Sequence, residues 1–205
     1  MIVIVDYGVG NLLSLRNAIK HSGFDARVSR DSNDIKNASK LILPGVGAFQ
    51  TGITNIIKFD LENEIITHAK SGKALLGICL GYQLLTNSSD EFGIHSGLKI
   101  LNAECRKLSP GGESTLPHIG WNSVYSEHMG DGFASLLTGN KFYFVHSYAV
   151  KTHDARIQPF FTSYGAEKFV SASRMDNIFG FQFHPEKSGA AGLDLLKYFL
   201  ELEDL

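Results

Sequence analysis

Two short segments of this chain carry residue types that together can break an amide bond. Gly77-Ile78-Cys79-Leu80-Gly81 closes one apolar run, and Phe183-His184-Pro185-Glu186 closes another far downstream. A thiol of ordinary pKa, about 8.5, is only a few per cent ionised at neutral pH, so a cysteine nucleophile gains from a base beside it and from a third group that orients the base. Glycines two positions either side of Cys79 give the pattern of a nucleophile elbow, a strained strand-to-helix turn where larger flanking side chains would collide with neighbouring elements. A helix beginning near Leu80 would favour the thiolate at its N-terminus. The Leu80 N–H then points to where a tetrahedral oxyanion forms, and the glycines of Pro44-Gly45-Val46-Gly47 predict a second donor there, from Val46 or Gly47. Pro185 fixes φ and ends its strand, so His184 and Glu186 stand on a rigid turn where the carboxylate can set the imidazole tautomer.

Each segment also has a plainer reading. A lone cysteine is most often a small buried hydrophobe, and a His-Pro-Glu turn is most often solvated. Their occurrence together, in this order, favours chemistry. Cys105, in Ala103-Glu104-Cys105-Arg106, has no such frame and reads as structural. His146, inside an apolar strand, reads as a core histidine or a cleft wall, with the wall favoured; His118, near Trp121, reads as cleft wall or plain packing. His21, His68, His95, His128 and His153 stand in polar helix or loop contexts and take no role. Gly8-Val9-Gly10 lacks the third glycine of a dinucleotide turn, having Leu13 there, and no phosphate-binding P-loop pattern occurs.

The elements that must hold these residues alternate in the first half of the chain: short apolar runs at Ile2 to Val5, Asp25 to Ser29, Lys40 to Leu43 and Lys73 to Ile78 are separated by helical patterns. One helix is predicted from Asn11, as cap, to about Ser22 with Leu12, Leu15, Ala18 and Ile19 on one face, and another from Ile53 to Ser71. Beyond Gly97 strands dominate: Leu98 to Ala103, Trp121 to Tyr125, Lys141 to Val150, Phe160 to Ser163, Phe169 to Ser173 and Ile178 to Phe183, before a last helix from Gly189 to Leu202. The expected fold is α/β: a mostly parallel, flavodoxin-like central sheet flanked by helices, extended by antiparallel strands of the same sheet.

With 205 residues, 43% hydrophobic and 20% charged, the chain suits one globular domain, 1–205. A net charge of -2 gives no surplus of cations for a nucleic-acid backbone. Two cysteines without metal or disulfide spacing point to no metal and to a reducing cytoplasm, and the apolar N-terminus is too short for a signal segment or membrane span.

Asp6-Tyr-Gly-Val-Gly-Asn11, Leu43-Pro-Gly-Val-Gly47, Gly77-Ile-Cys-Leu-Gly-Tyr-Gln83, Pro117-His-Ile-Gly-Trp-Asn122, Phe142-Tyr-Phe-Val-His-Ser-Tyr148 and Gln182-Phe-His-Pro-Glu-Lys-Ser188 span nearly the whole chain in order. Together they resemble the class I glutamine amidotransferases, and within these the amidotransferase subunits of imidazole glycerol phosphate synthase. The resemblance implies hydrolysis of L-glutamine through a cysteinyl thioester with Cys79, His184 and Glu186 as triad, substrate held by Gly47, Gln83, Ser147 and Tyr148, and no cofactor. It also implies ammonia transfer to a (β/α)₈ cyclase partner, with Tyr143 and Lys187 near the mouth leading to it and Asn11 at the same interface. Gly97-Leu98-Lys99, the Gly/Ser-rich stretch from Arg106 to Thr115, and Val170 to Met175 depart from the pattern. They leave open a paralogue that feeds another acceptor, such as a surface-polysaccharide sugar, beside the more distant readings of a stand-alone cysteine amidase or peptidase and of a binding module without catalysis.

Overall fold

The computed structural model describes residues 1–127 and 132–203, so His128 lies outside the described residues. Strands β1 (Ile2–Val5), β2 (Ala26–Ser29), β3 (Lys40–Leu43) and β4 (Ala74–Ile78) are joined by helices α1 (Leu12–His21), α2 (Ser32–Lys36), α3 (Phe49–Lys58) and α4 (Glu62–Lys70), and α5 (Leu80–Leu84) follows β4. The later strands are β5 (Ser88–Ser89), β6 (His95–Ser96), β7 (Glu104–Lys107), β8 (His118–Ser123), β9 (Lys141–His146), β10 (Tyr148–Lys151), β11 (Gln158–Tyr164), β12 (Glu167–Met175) and β13 (Ile178–Phe181). Helix α6 (Gly132–Leu137) precedes β9, and α7 (Gly189–Glu201) ends the fold.

The main sheet runs β2-β1-β3-β4-β13-β12-β10-β7-β5-β6, with β11 paired to β12. From β2 to β13 all pairings are parallel; from β13 outward through β12, β10 and β7 they are antiparallel. The expected mostly parallel sheet with an antiparallel extension is therefore what forms. Buried strand residues alternate between two cores: Ile4, Ile42 and Leu76 pack with α1, α6 and α7, whereas Val3, Val5, Leu41 and Leu75 pack with the layer of α3 and α4. No described helix is long and apolar enough to cross a membrane.

Several expected boundaries move, each for a local reason. The single helix expected from Ile53 to Ser71 is two, because Asp60 turns left-handed (φ 57) and the Asp60 and Leu61 N–H groups cap the carbonyls of Ile57 and Ile56. Leu98 to Ala103 is not a strand. Its buried leucines wrap the end of α5, where the N–H groups of Leu98, Ile100 and Leu101 serve the carbonyls of Leu84 and Leu85. Lys141 to Val150 breaks at Ser147 into β9 and β10, and β9 leaves the main sheet to pair with β8 as a separate two-stranded ribbon. The strand expected at Trp121 to Tyr125 starts earlier, at His118, because its register is set by β9. The strand expected to reach Phe183 ends at Phe181. Asn11 caps α1 as expected, its side-chain oxygen accepting from the Ser14 N–H at 3.2 Å. A short helix that periodicity did not signal, α2, is capped by Asp31.

Candidate active site

Strand β4 is buried throughout and delivers Cys79 to the carboxyl end of the parallel half of the sheet, where groups of different strands converge. Cys79 has φ 52 and ψ -109, a conformation that costs a non-glycine residue on the order of 1–3 kcal/mol and persists only when its surroundings fix it. They do so here. Its N–H donates to the Phe181 carbonyl at 2.6 Å. A Cβ on Gly81 would lie 1.8 Å from the Leu43 oxygen, and one on Gly77 would lie 2.6 Å from the Tyr82 Cα. Neither glycine has positive φ, so both are required by space and not by conformation. The helix that follows has only five residues, so its dipole makes a minor contribution beside the groups that face the sulfur.

The histidine comes from the neighbouring strand. β13 lies parallel to β4, and after it Pro185 opens a 3-10 turn capped by His184. The turn is tied down on three sides: the His184 N–H donates to the Tyr143 carbonyl at 3.0 Å, the Lys187 N–H donates to the His184 carbonyl at 3.0 Å, and Ser188 Oγ donates to the same carbonyl at 2.6 Å. His184 Nδ1 and Glu186 Oε1 are 2.9 Å apart with both side chains almost wholly buried. Because a carboxylate only accepts, Nδ1 carries the proton of that bond. Burial alone disfavours the imidazolium, but the Cys79 sulfur and the Glu186 carboxylate outweigh it and push the His184 pKa up to about 10. Nε2 makes no hydrogen bond of ordinary geometry, yet the sulfur is near enough to be the larger of the two influences that raise the ring's pKa against burial.

Cys79 opens into a cleft of about 670 Å³ whose walls include Val46, Gly47, Gln83, His146, Ser147, Tyr148 and Lys187. Every residue expected to hold substrate is therefore in this wall. So are Glu91 and Lys107, two charged residues that the sequence reading did not single out. Nothing in their neighbourhoods marks them: Glu91 sits in a polar turn, its carboxylate accepting from the Phe49 N–H at 2.6 Å, and Lys107 ends a strand. Gln83 Nε2 donates to the Tyr148 carbonyl at 2.9 Å and to Gln182 Oε1 at 3.2 Å, and Gln182 Nε2 reaches Cys79 Sγ at 3.8 Å. A second concavity of about 510 Å³ is lined by Ile53, Ile57, Ile66, Ile100 and Met175 with Glu62, Lys70, Ser96 and Lys99 among others, and has no cysteine or histidine in its lining.

The expected oxyanion donors are close to Cys79 but not all free. The Leu80 N–H donates to the Gly45 carbonyl at 3.4 Å, and Tyr7 Oη donates to the Pro44 carbonyl. Val46 is half exposed, and Gly47 (φ 126) has open space around it. Of the residues expected at an interface, Tyr143 lies edge-on to the exposed Trp121 at 6.2 Å, and Lys187 Nζ is 5.9 Å from the Tyr143 ring centroid while also lining the cleft. Asn11 stands apart from these at the β1–α1 turn, exposed, with its side-chain oxygen engaged as the helix cap. Cys105 is buried among apolar groups, which push its thiol pKa up. His68, expected in a polar helix context, is instead buried, with Nε2 donating to the Ala74 carbonyl at 3.1 Å.

The model of the family described as glutamine amidotransferase class-I matches residues 3–201. Imidazole glycerol phosphate synthase subunit HisH of Caldanaerobacter subterraneus subsp. tengcongensis is 44% identical over 202 residues, covering 98% of both chains. The subunit HisH of Aquifex aeolicus is 44% identical over 198 residues, 96% of this chain and 94% of that one. A crystal structure of a glutamine amidotransferase superposes with a TM-score of 0.75 at 20% identity over 97% of each chain, a likeness of fold alone. A cysteine elbow, a buried histidine–carboxylate pair and an amidotransferase-type sheet thus coincide with near-full-length identity, and the chain belongs to the class I glutamine amidotransferases, in the family of imidazole glycerol phosphate synthase subunit HisH.

Proposed function

We propose that this chain is the glutaminase subunit of an imidazole glycerol phosphate synthase, a single domain that hydrolyses L-glutamine to glutamate and ammonia in the cytoplasm for histidine biosynthesis. The observation that carries the chemistry is His184, buried between the Cys79 sulfur and the Glu186 carboxylate at the ends of adjacent parallel strands. The high identity to HisH subunits along the whole chain supports the pathway over the other acceptors open at the level of sequence.

With the thiol proton already held by His184, Cys79 attacks the side-chain amide carbon of glutamine; the tetrahedral intermediate collapses as His184 gives that proton to the departing ammonia. A thioester remains. Water then attacks it with His184 as base, and glutamate leaves as the thiolate is restored. Glu186 holds the ring in the tautomer whose Nε2 faces this exchange. Gly47, Gln83, Ser147 and Tyr148 hold the substrate, and Glu91 and Lys107 offer charges of either sign for its α-ammonium and α-carboxylate. The Leu80 N–H and a donor from Val46 or Gly47 stabilise the oxyanion. For Leu80 to do so, the Pro44–Gly47 loop must withdraw the Gly45 carbonyl from it.

The ammonia passes to a (β/α)₈ cyclase partner. Tyr143 and Lys187 serve that docking, joined by the exposed Ile119 and Trp121 on the outer side of the β8–β9 ribbon, with Asn11 at the rim. The test is Cys79→Ala in the complex with the cyclase. Glutamine-dependent synthesis falls by at least ~10³-fold while synthesis from added ammonium salts stays within about twofold of wild type. Glutamine-dependent turnover that survives the substitution would overturn the reading.

A further inference from the structure

Behind the cleft wall lies a histidine pair that the amide chemistry does not use. In the β8–β9 ribbon His118 stands directly opposite His146. Residues of the ribbon alternate, with His118, Phe142, Phe144 and His146 buried on the inner side and Ile119 and Trp121 exposed on the outer. His146 lines the cleft. The His118 ring is sandwiched between Phe144, at 4.8 Å between centroids, and Tyr164, at 4.1 Å, both nearly parallel to it.

The direction of the hydrogen bonds is fixed by their last acceptor. His146 Nδ1 lies 2.9 Å from the Tyr148 carbonyl, and a carbonyl only accepts, so Nδ1 carries the proton. In a neutral ring His146 Nε2 is then bare and accepts from His118 Nδ1 at 3.1 Å. The neutral state is favoured because burial lowers the His118 pKa to about 4 and the His146 pKa to about 3. The same Tyr148 carbonyl accepts from Gln83 Nε2, so two donors saturate it from two sides. Gln83 continues through Gln182 to the nucleophile. Plain packing does not account for this arrangement, since two apolar residues would fill the space without the cost of desolvating two imidazoles.

We propose that His118 is a positioning residue for glutamine: acting through His146, it fixes the Tyr148 carbonyl and the Gln83 side chain in the wall of the substrate cleft. This rests on reading that cleft as the glutamine site. His118 is not in the cleft wall itself, so its effect passes through its partner.

The experiment replaces the donor and keeps the packing. His118→Phe, in the complex with the cyclase, raises KM for glutamine about tenfold, the scale of one lost buried hydrogen bond, and leaves kcat within twofold. His118→Asn, which keeps a donor, recovers part of the loss. Alkylation of Cys79 by iodoacetamide, a reagent that needs no glutamine site, proceeds at the wild-type rate in both variants. A KM within twofold of wild type in His118→Phe, or a fall in kcat and alkylation together, overturns the proposal. Nitrogen-15 spectra of the wild-type complex give a second, independent reading: both rings must be neutral with the proton on Nδ1 at pH 7, and a charged ring or a proton on Nε2 of His146 overturns it even if no variant folds. Absence of glutamine hydrolysis by the wild-type complex would instead sink the glutaminase reading, and the spectra would still decide the hydrogen-bond chain.

Discussion

His184 and His146 are both buried, one on the turn that follows β13 beside Cys79 and the other at the end of β9 in the cleft wall, yet they titrate in opposite directions, one pushed up to about 10 and the other down to about 3. For each the largest single influence is burial, which discharges an imidazole. What separates them is the second neighbour: His184 has a carboxylate on one side and a sulfur on the other, whereas His146 has a carbonyl and a neutral ring. The protein thus keeps one proton-holding histidine beside the nucleophile and a nearby pair of histidines that hold no charge. A second imidazolium in the wall would repel the first, and His184 already disfavours charge on His146.

The largest expected effect comes from erasing that difference. Glu186→Gln keeps the shape and removes the charge, so His184 loses one of the two groups that hold its proton. Glutamine turnover in the complex falls by ~10²–10⁴-fold, the scale seen when the orienting carboxylate of a triad becomes an amide. Steady-state kinetics with glutamine, beside ammonia-dependent synthesis as control, measure it. A loss below threefold would mean that the sulfur alone sets the ring, and that the carboxylate has no part in the contrast.

The pH dependence of stability sharpens the same contrast, because the two histidine environments bend the curve at opposite ends. A raised folded pKa, as at His184, stabilises fully below the unfolded value near 6.5, and that contribution disappears as pH rises toward about 10. Lowered folded values, as at His118 and His146, stabilise fully above 6.5 and are lost as pH falls toward about 4 and 3. Each pKa unit is worth about 1.4 kcal/mol, so each ring of the pair loses on the order of 2 kcal/mol between pH 6.5 and pH 5. Urea unfolding across this range should show the acid limb flattened in His118→Phe and the alkaline limb flattened in Glu186→Gln. If both variants flatten the same limb, the assignment of opposite signs is wrong.

How much of this could be read from residue order depends on where the determinants lie. The parallel half was legible because β1 and β3 are short apolar runs ended by Asp6 and Pro44 and β4 is an apolar run that meets the glycine-flanked Cys79, and the elbow was legible because its glycines meet neighbours that any side chain would strike. The ribbon was not, since whether Lys141 to His146 joins the main sheet or pairs with His118 to Ser123 depends on a break at Ser147 that no local signal marks. The two-helix break at Asp60 was missed because a left-handed aspartate has no periodic signature. His118 could be narrowed only to wall or packing, because its role comes from standing opposite His146 across strands that the sequence leaves far apart. Glu91 and Lys107 reach the cleft through tertiary placement of a turn and a strand end.

The smallest effect tests the bland half of a second contrast, between the two cysteines. Both Cys79 and Cys105 are free and buried, but Cys105 is packed in the core between strands and has its thiol pKa pushed up by burial, with no imidazole among the groups that act on it. Removing its sulfur takes away a small apolar group and leaves a cavity of similar size. Cys105→Ala should therefore lower stability by about 1–2 kcal/mol in urea unfolding and leave glutamine kcat within twofold. Thiol alkylation of the folded protein completes the comparison: the fast-reacting thiol persists in Cys105→Ala and is lost in Cys79→Ala. Should it instead disappear with Cys105, the neighbouring imidazole would not be what separates the two sulfurs, and the elbow would have to be reconsidered as the place where the reactive thiol is made.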